Sequence, residues 1–161
     1  MLRCEYTLAL IALGRALIAV IPAGRVRIVA ILVVTAETVL MAVILIVEDD
    51  IFLRDDAEMM VRDWGHDTLS AGDVDEALSL LRFSQRIDAL FTDIYLKRAV
   101  LGGYELARQA IELRLNLRVL YTTGNTVNDK MKALFVKGAH FLQKPYTQHQ
   151  LQNSVEKLLA V

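Results

Sequence analysis

From residue 41 onward, short apolar runs alternate with segments in which apolar residues recur every three or four positions. The short runs predict five β-strands and the periodic segments predict five helices. The predicted strands are 42–47, 67–71, 87–92, 118–122 and 141–143, and the predicted helices are 53–64, 73–81, 104–115, 128–136 and 147–159. Regular alternation of strand and helix predicts an α/β domain with an open parallel sheet and helices on both faces.

Local signals support two of the predicted helix ends. Gly65 stands where the first helix would end, because glycine tolerates the left-handed conformation of a helix C-terminus. Asp73, followed three positions later by Glu76, predicts a capping box at the start of the second helix.

Polar residues follow four of the predicted strands. They are Glu48-Asp49-Asp50, Asp93, Thr122-Thr123-Gly124 and Lys144-Pro145. The carboxyl ends of parallel strands line one edge of a sheet, where ligands of open α/β folds bind. Carboxylates, a hydroxyl and an ammonium at one edge predict a site for a divalent cation and a phosphoryl group.

Composition narrows the class of protein without deciding it. A chain of 161 residues is about one domain, and its net charge of −1 gives no general attraction to nucleic acid. Cys4 is the only cysteine, which excludes an intramolecular disulfide and makes a reducing cytoplasm the default location.

Residues 1–40 differ from the rest because they are mostly apolar and carry four arginines against two glutamates. Neither of their apolar runs reaches the roughly 20 uninterrupted residues of a membrane span. Three interpretations stay open: a non-native extension before a natural start at Met41, a membrane-associating helix or hairpin, or a helix that docks on the domain or on a second copy. In each case we expect residues 41–161 to form the domain.

The strand-end residues, taken in order, resemble those of the receiver domain of bacterial two-component response regulators. The resemblance covers residues 42–159 and is closest to the stand-alone type, represented by the chemotaxis response regulator. It implies a flavodoxin-like sheet of strand order 2-1-3-4-5. It also implies a histidine kinase or phosphotransfer protein as phosphodonor, an unidentified downstream protein as target and no nucleic acid. No output domain is visible after the last helix, so we expect signalling by surface contact.

The resemblance assigns a role to each residue of the acidic group. Asp93 would be the phosphoacceptor, and Mg²⁺ would be bound directly by Asp49, Asp93 and the backbone carbonyl of Tyr95. Glu48 would act mainly through a water molecule. Asp50 would instead cap the first helix.

The remaining site residues would bind the phosphoryl group or respond to it. Lys144 would pair with the phosphoryl oxygens, with Pro145 in a cis peptide, and Thr123 and the Gly124 amide would donate hydrogen bonds. Thr123 and the aromatic Phe141 would form the switch, although Phe141 could equally be an ordinary core residue.

The sequence departs from the receiver pattern after Asp93. Residues 94–103 contain no proline and no acid, and they are about two residues longer before Gly103 than the family pattern. We expect a looser, more basic loop with Lys97 and Arg98 near the rim of the site. The three histidines show no ligand spacing, and we expect them at the surface.

Three other functions compete with a phosphoacceptor. An aspartyl-nucleophile phosphatase would need an aspartate where Tyr95 stands. A phosphate-independent interaction module would not need the complete set of side chains. A membrane-tethered receiver would require residues 1–40 to be native.

Overall fold

The computed structural model describes residues 10–13, 16–23, 26–32, 41–84, 86–96 and 102–160. The chain divides into two compact units, Met1–Val39 and Leu40–Val161. In the first unit, an antiparallel sheet of order β1-β2-β3 is formed by β1 (Leu10–Leu13), β2 (Ala16–Ala23) and β3 (Val26–Leu32).

The described parts of residues 1–40 are therefore strands, whereas two of the interpretations include a helix in this segment. Whether the segment is a non-native extension or associates with a membrane stays a prediction. Valine and isoleucine are frequent in these runs, and β-branched residues favour strands over helices. Among the helices of the described residues, none is long and apolar enough to cross a membrane.

The second unit contains a five-stranded sheet in which all neighbouring strands are parallel. Its order is β5-β4-β6-β7-β8, which is the predicted order 2-1-3-4-5. The strands are β4 (Val43–Val47), β5 (Asp67–Ala71), β6 (Ala89–Asp93), β7 (Arg118–Thr123) and β8 (His140–Gln143). The predicted fold class is confirmed.

Helices cover both faces of this sheet. They are α1 (Ile51–Asp63), α2 (Val74–Phe83), α3 (Gly102–Leu113), α4 (Asp129–Lys132) and α5 (Gln148–Leu159). Alternate strand residues point to opposite faces. Accordingly, Ile44 and Ile46 pack with α1 and α5, whereas Leu45 and Val47 pack with α2 and α3.

Two details of the helices differ from the sequence predictions. Helix α4 ends at Lys132, and the chain continues through turns in which the Leu134 and Phe135 amides donate to carbonyls three residues earlier. At α2, Asp73 accepts from the Glu76 amide as predicted, but the Glu76 carboxylate accepts from the Gly72 amide instead of closing a capping box. Gly65 does end α1, with a φ of 81°.

One histidine is buried, contrary to expectation. His66 follows the Gly65 turn, and its Nδ1 accepts a hydrogen bond from the Ala42 amide at 3.3 Å. Burial lowers the pKa of His66, and the charge of Glu156 offsets only part of this effect. The ring is a structural element at the start of β4.

A cluster of aromatic rings fills the core beside α3. Tyr121 stacks on Phe135 at a centroid distance of 4.5 Å, and Tyr104 lies 5.5 Å from Tyr121. The Tyr121 hydroxyl accepts from the Val136 amide at 3.5 Å, while the buried Tyr104 hydroxyl has no hydrogen-bond partner among the described residues.

A chain that begins at Met41 is expected to fold and to keep its thermal midpoint, because the complete five-stranded sheet and its helices follow Met41. Loss of the apolar segment should also raise solubility, since exposed apolar patches favour association. Thermal unfolding and sedimentation of the two chains would test this. Marked destabilisation of the shorter chain would show that residues 1–40 belong to the folded unit.

Removal of the Tyr104 hydroxyl and removal of the Tyr121 hydroxyl should change the free energy of unfolding in opposite directions. Tyr104→Phe is expected to raise the free energy of unfolding by about 1 kcal/mol, because it removes a buried hydroxyl that has no hydrogen-bond partner among the described residues. Tyr121→Phe should lower it by about 0.5–1 kcal/mol through loss of a hydrogen bond. Urea unfolding measures both, and a destabilising Tyr104→Phe would contradict the expectation.

Candidate functional site

Three charged side chains from different strands meet at the carboxyl edge of the five-stranded sheet. Glu48 directly follows β4, Asp93 ends β6 and Lys144 directly follows β8. The Lys144 Nζ lies 2.5 Å from Glu48 Oε2 and 2.6 Å from Asp93 Oδ2. The structure thus brings together residues that are far apart in the sequence, at the edge where the sequence predicted a site.

Burial makes this charge cluster unusual. Glu48 is 6 % exposed and Asp93 is 9 % exposed. Burial raises the pKa of the Glu48 carboxyl, and this outweighs the lowering by the nearby Lys144 ammonium. Burial would lower the pKa of Lys144, but hydrogen bonds and charges from Asp93 and Glu48 outweigh it, so the pKa of Lys144 is raised. One ammonium therefore faces two carboxylates that water does not fully solvate.

The loop after β4 is held by hydrogen bonds on both sides of Asp49. The Arg54 guanidinium donates to the Glu48 carbonyl at 2.7 Å. Asp50 is the N-cap of α1 and accepts from the Phe52 and Leu53 amides. The prediction that Asp50 opens the first helix is confirmed.

Asp93 is fixed by main-chain groups around it. The Tyr95 amide donates to Asp93 Oδ1 at 2.9 Å. Gly103 packs directly against the Asp93 carbonyl, since a Cβ at Gly103 would lie 2.1 Å from that oxygen. Only glycine fits at this position, which ties the start of α3 to the predicted acceptor.

The ends of β7 and β8 supply the hydroxyl and the ammonium. Thr123 is buried at the end of β7, and its Oγ1 accepts from the Asn125 amide at 3.2 Å. The Lys144 amide donates to the Thr123 carbonyl at 2.9 Å, and the Lys144–Pro145 peptide is cis, as the resemblance implied. Gly124 follows Thr123 and is exposed.

No group of three His, Cys, Asp or Glu side chains within the described ranges is arranged so that it could hold a metal ion. Lys144 instead lies between Glu48 and Asp93. The donor chemistry nevertheless suits Mg²⁺, which prefers oxygen ligands. Two buried carboxylates with Asp49 beside them exceed the charge of one lysine, so the fit with a divalent cation is good. The ligand set itself stays a prediction.

Phe141 packs at the end of the aromatic cluster. Its ring centroid lies 6.0 Å from that of Phe135, which in turn stacks on Tyr121. The side chain is half-buried, so the core-packing interpretation describes what is observed. Its role as a switch stays a prediction.

Sequence reasoning missed two side chains that brace the site. Arg54 donates to the Glu48 carbonyl, and Gln143 donates to the carbonyls of Thr123 and Lys144. Neither side chain had a signal in the spacing of residues, because hydrogen bonds from a side chain to backbone carbonyls leave no pattern in the sequence. The predicted basic rim at Lys97 and Arg98 lies outside the described residues.

Comparison with known proteins agrees with this geometry. The family model of the response regulator receiver domain matches residues 44–156, more than half of the chain. The chain therefore belongs to the family of response regulator receiver domains, the phosphorylation-responsive modules of two-component signalling. Receiver domains typically bind Mg²⁺ at their acidic pocket. A search of curated proteins found no match.

Solved receiver structures resemble this one over most of its length. A response regulator receiver protein from Sinorhizobium medicae is 27% identical, with a TM-score of 0.69, and the match covers 75% of this chain and 96% of that one. A chemotaxis response regulator of Vibrio cholerae is 26% identical, with a TM-score of 0.65 and coverages of 74% and 99%. NtrX from Brucella abortus is 28% identical, with a TM-score of 0.68, but only 27% of its chain is covered. The match thus covers almost the whole of the first two solved chains but only about a quarter of the NtrX chain.

Proposed function

We propose that this domain accepts a phosphoryl group on Asp93 from a histidine kinase or phosphotransfer protein and signals through a protein–protein surface. The observation that carries the proposal is the buried Asp93 carboxylate, paired with Lys144 beside a second carboxylate at the sheet edge. The cytoplasm as location belongs to the same proposal. Membrane association is proposed only if residues 1–40 are native.

Asp93 would act as the nucleophile. A carboxylate oxygen of Asp93 forms a bond to phosphorus while the bond from phosphorus to the donor's imidazole nitrogen breaks, and the electron pair stays on that nitrogen. Lys144 already contacts Asp93, so its ammonium is available to the phosphoryl oxygens as negative charge develops there. Proximity and charge stabilisation supply most of such catalysis.

Three groups would complete phosphoryl binding and read out its presence. The Thr123 hydroxyl and the Gly124 amide would donate to phosphoryl oxygens, and Phe141 would rearrange when Thr123 moves. A bound Mg²⁺, held by Asp49, Asp93 and the Tyr95 carbonyl with Glu48 acting mainly through water, would neutralise charge on the acceptor and the phosphoryl group.

Incubation with Mg²⁺ and acetyl phosphate should add one phosphoryl group, and Asp93→Asn should abolish the addition, because an amide cannot form the acyl phosphate. Intact-mass spectrometry measures the gain in mass. Asp88→Asn is the control and should still be labelled, because the Asp88 carboxylate accepts from the Val43 amide and is not part of the site. Undiminished labelling of Asp93→Asn would show that Asp93 is not the phosphoacceptor. A wild-type chain that takes up no phosphate would favour a phosphate-independent module.

Two neighbouring acids should separate metal binding from helix capping. Asp49→Ala is expected to weaken Mg²⁺ binding at least tenfold, because it removes a proposed direct ligand. Asp50→Ala should leave Mg²⁺ affinity nearly unchanged but lower the free energy of unfolding by about 1 kcal/mol through loss of the cap. Calorimetric Mg²⁺ titration and urea unfolding test the pair. Equal effects of the two substitutions on Mg²⁺ affinity would show that the assignment of Asp49 as the ligand is wrong by one residue.

A further inference from the structure

Gln143 makes side-chain hydrogen bonds to the main chain of two of the three residues proposed to bind the phosphoryl group, Thr123 and Lys144. Its Nε2 donates to the Thr123 carbonyl at 2.9 Å and to the Lys144 carbonyl at 3.0 Å. The residue itself is exposed. An exposed glutamine has many rotamers open to it, so two such contacts from one amide mark an ordered side chain.

These bonds lie at the end of a short edge strand. Strand β8 has four residues and pairs with β7 on one side only in the described sheet. Its last paired position is Thr123 with Gln143, and beyond it the Lys144 amide still donates to the Thr123 carbonyl. The Thr123 carbonyl therefore accepts from both Lys144 and Gln143, and the Gln143 amide links it to the Lys144 carbonyl.

We propose that Gln143 is a positioning residue that holds Thr123 and Lys144 in register for phosphoryl binding. The proposal rests on the proposed function of the site. The carboxylates proposed to bind Mg²⁺ follow or end β4 and β6. The two hydrogen bonds of Gln143 go to the Thr123 and Lys144 carbonyls and not to these carboxylates. Loss of its amide should therefore weaken recognition of phosphoryl oxygens much more than it weakens metal binding.

The test compares Gln143→Ala and Gln143→Glu with wild type in the full chain. Alanine removes the side chain beyond Cβ, and glutamate keeps the size but has no N–H to donate when ionised. Gln152→Ala is the matched control, because the Gln152 amide donates to the Glu156 side chain on α5 and not to the site. Calorimetry measures Mg²⁺ affinity first and then the affinity for beryllofluoride, a phosphoryl mimic, in saturating Mg²⁺.

Both Gln143 variants should bind beryllofluoride about tenfold more weakly, equivalent to about 1.4 kcal/mol. Their Mg²⁺ affinity should stay within about twofold of wild type, which is about 0.4 kcal/mol. Gln152→Ala should match wild type in both titrations. If Gln143 had a purely structural role, its loss would weaken the binding of Mg²⁺ and of beryllofluoride to a similar extent.

Three results would overturn the inference. Wild-type beryllofluoride affinity in either Gln143 variant would show that the amide bonds do not position the site. Equal losses of Mg²⁺ and beryllofluoride affinity would show a general structural role. Failure of the wild-type chain to bind beryllofluoride would overturn the proposed function, and this inference with it.

Discussion

One ammonium shared by two buried carboxylates is the interaction on which the site depends. Lys144 joins Glu48 and Asp93, and so links the ends of three strands that are distant in sequence. Loss of Lys144 would leave two buried carboxylates without their cation, which costs far more than breaking an exposed ion pair. The cluster has two carboxylates and one ammonium, so one negative charge is not balanced. Burial disfavours that charge and raises the pKa of Glu48. A bound cation would balance the charge of the cluster.

The two cores explain why this cluster can be held so closely. Strand residues alternate between a core shared with α1 and α5 and a core shared with α2 and α3, so the central strands are fixed from both faces. The edge strand β8 has less support, because it is short and pairs on one side in the described sheet. Hydrogen bonds at the end of β8 therefore contribute more to the position of Lys144 than similar bonds would in the sheet interior.

Periodicity predicted the order of strands and helices because burial on both faces of a sheet imposes it on the sequence. The strand-end polar residues were predictable for the same reason, since parallel strands bring their carboxyl ends to one edge. Contacts that depend on tertiary geometry were not predictable. His66 is buried, and its ring accepts from the amide of Ala42, which lies 24 residues earlier in the chain. The capping box at α2 failed for a local reason, because the Glu76 carboxylate accepts from the Gly72 amide. The length of α4 was overestimated because apolar spacing continues through turns that are not helical.

The atypical sequence after Asp93 begins and ends in residues that are held by the fold. Ile94 and Leu96 are buried on one side of the loop, and Gly103 is buried on the other, with its amide donating to the Ile94 carbonyl at 3.1 Å. The unusual residues 97–101 lie between these two anchored ends. Since Asp93 is held by the Tyr95 amide and by contact with Gly103, its geometry does not require the proline or the acid of the common pattern. The sequence of residues 97–101 can therefore vary while the contacts that hold Asp93 stay in place.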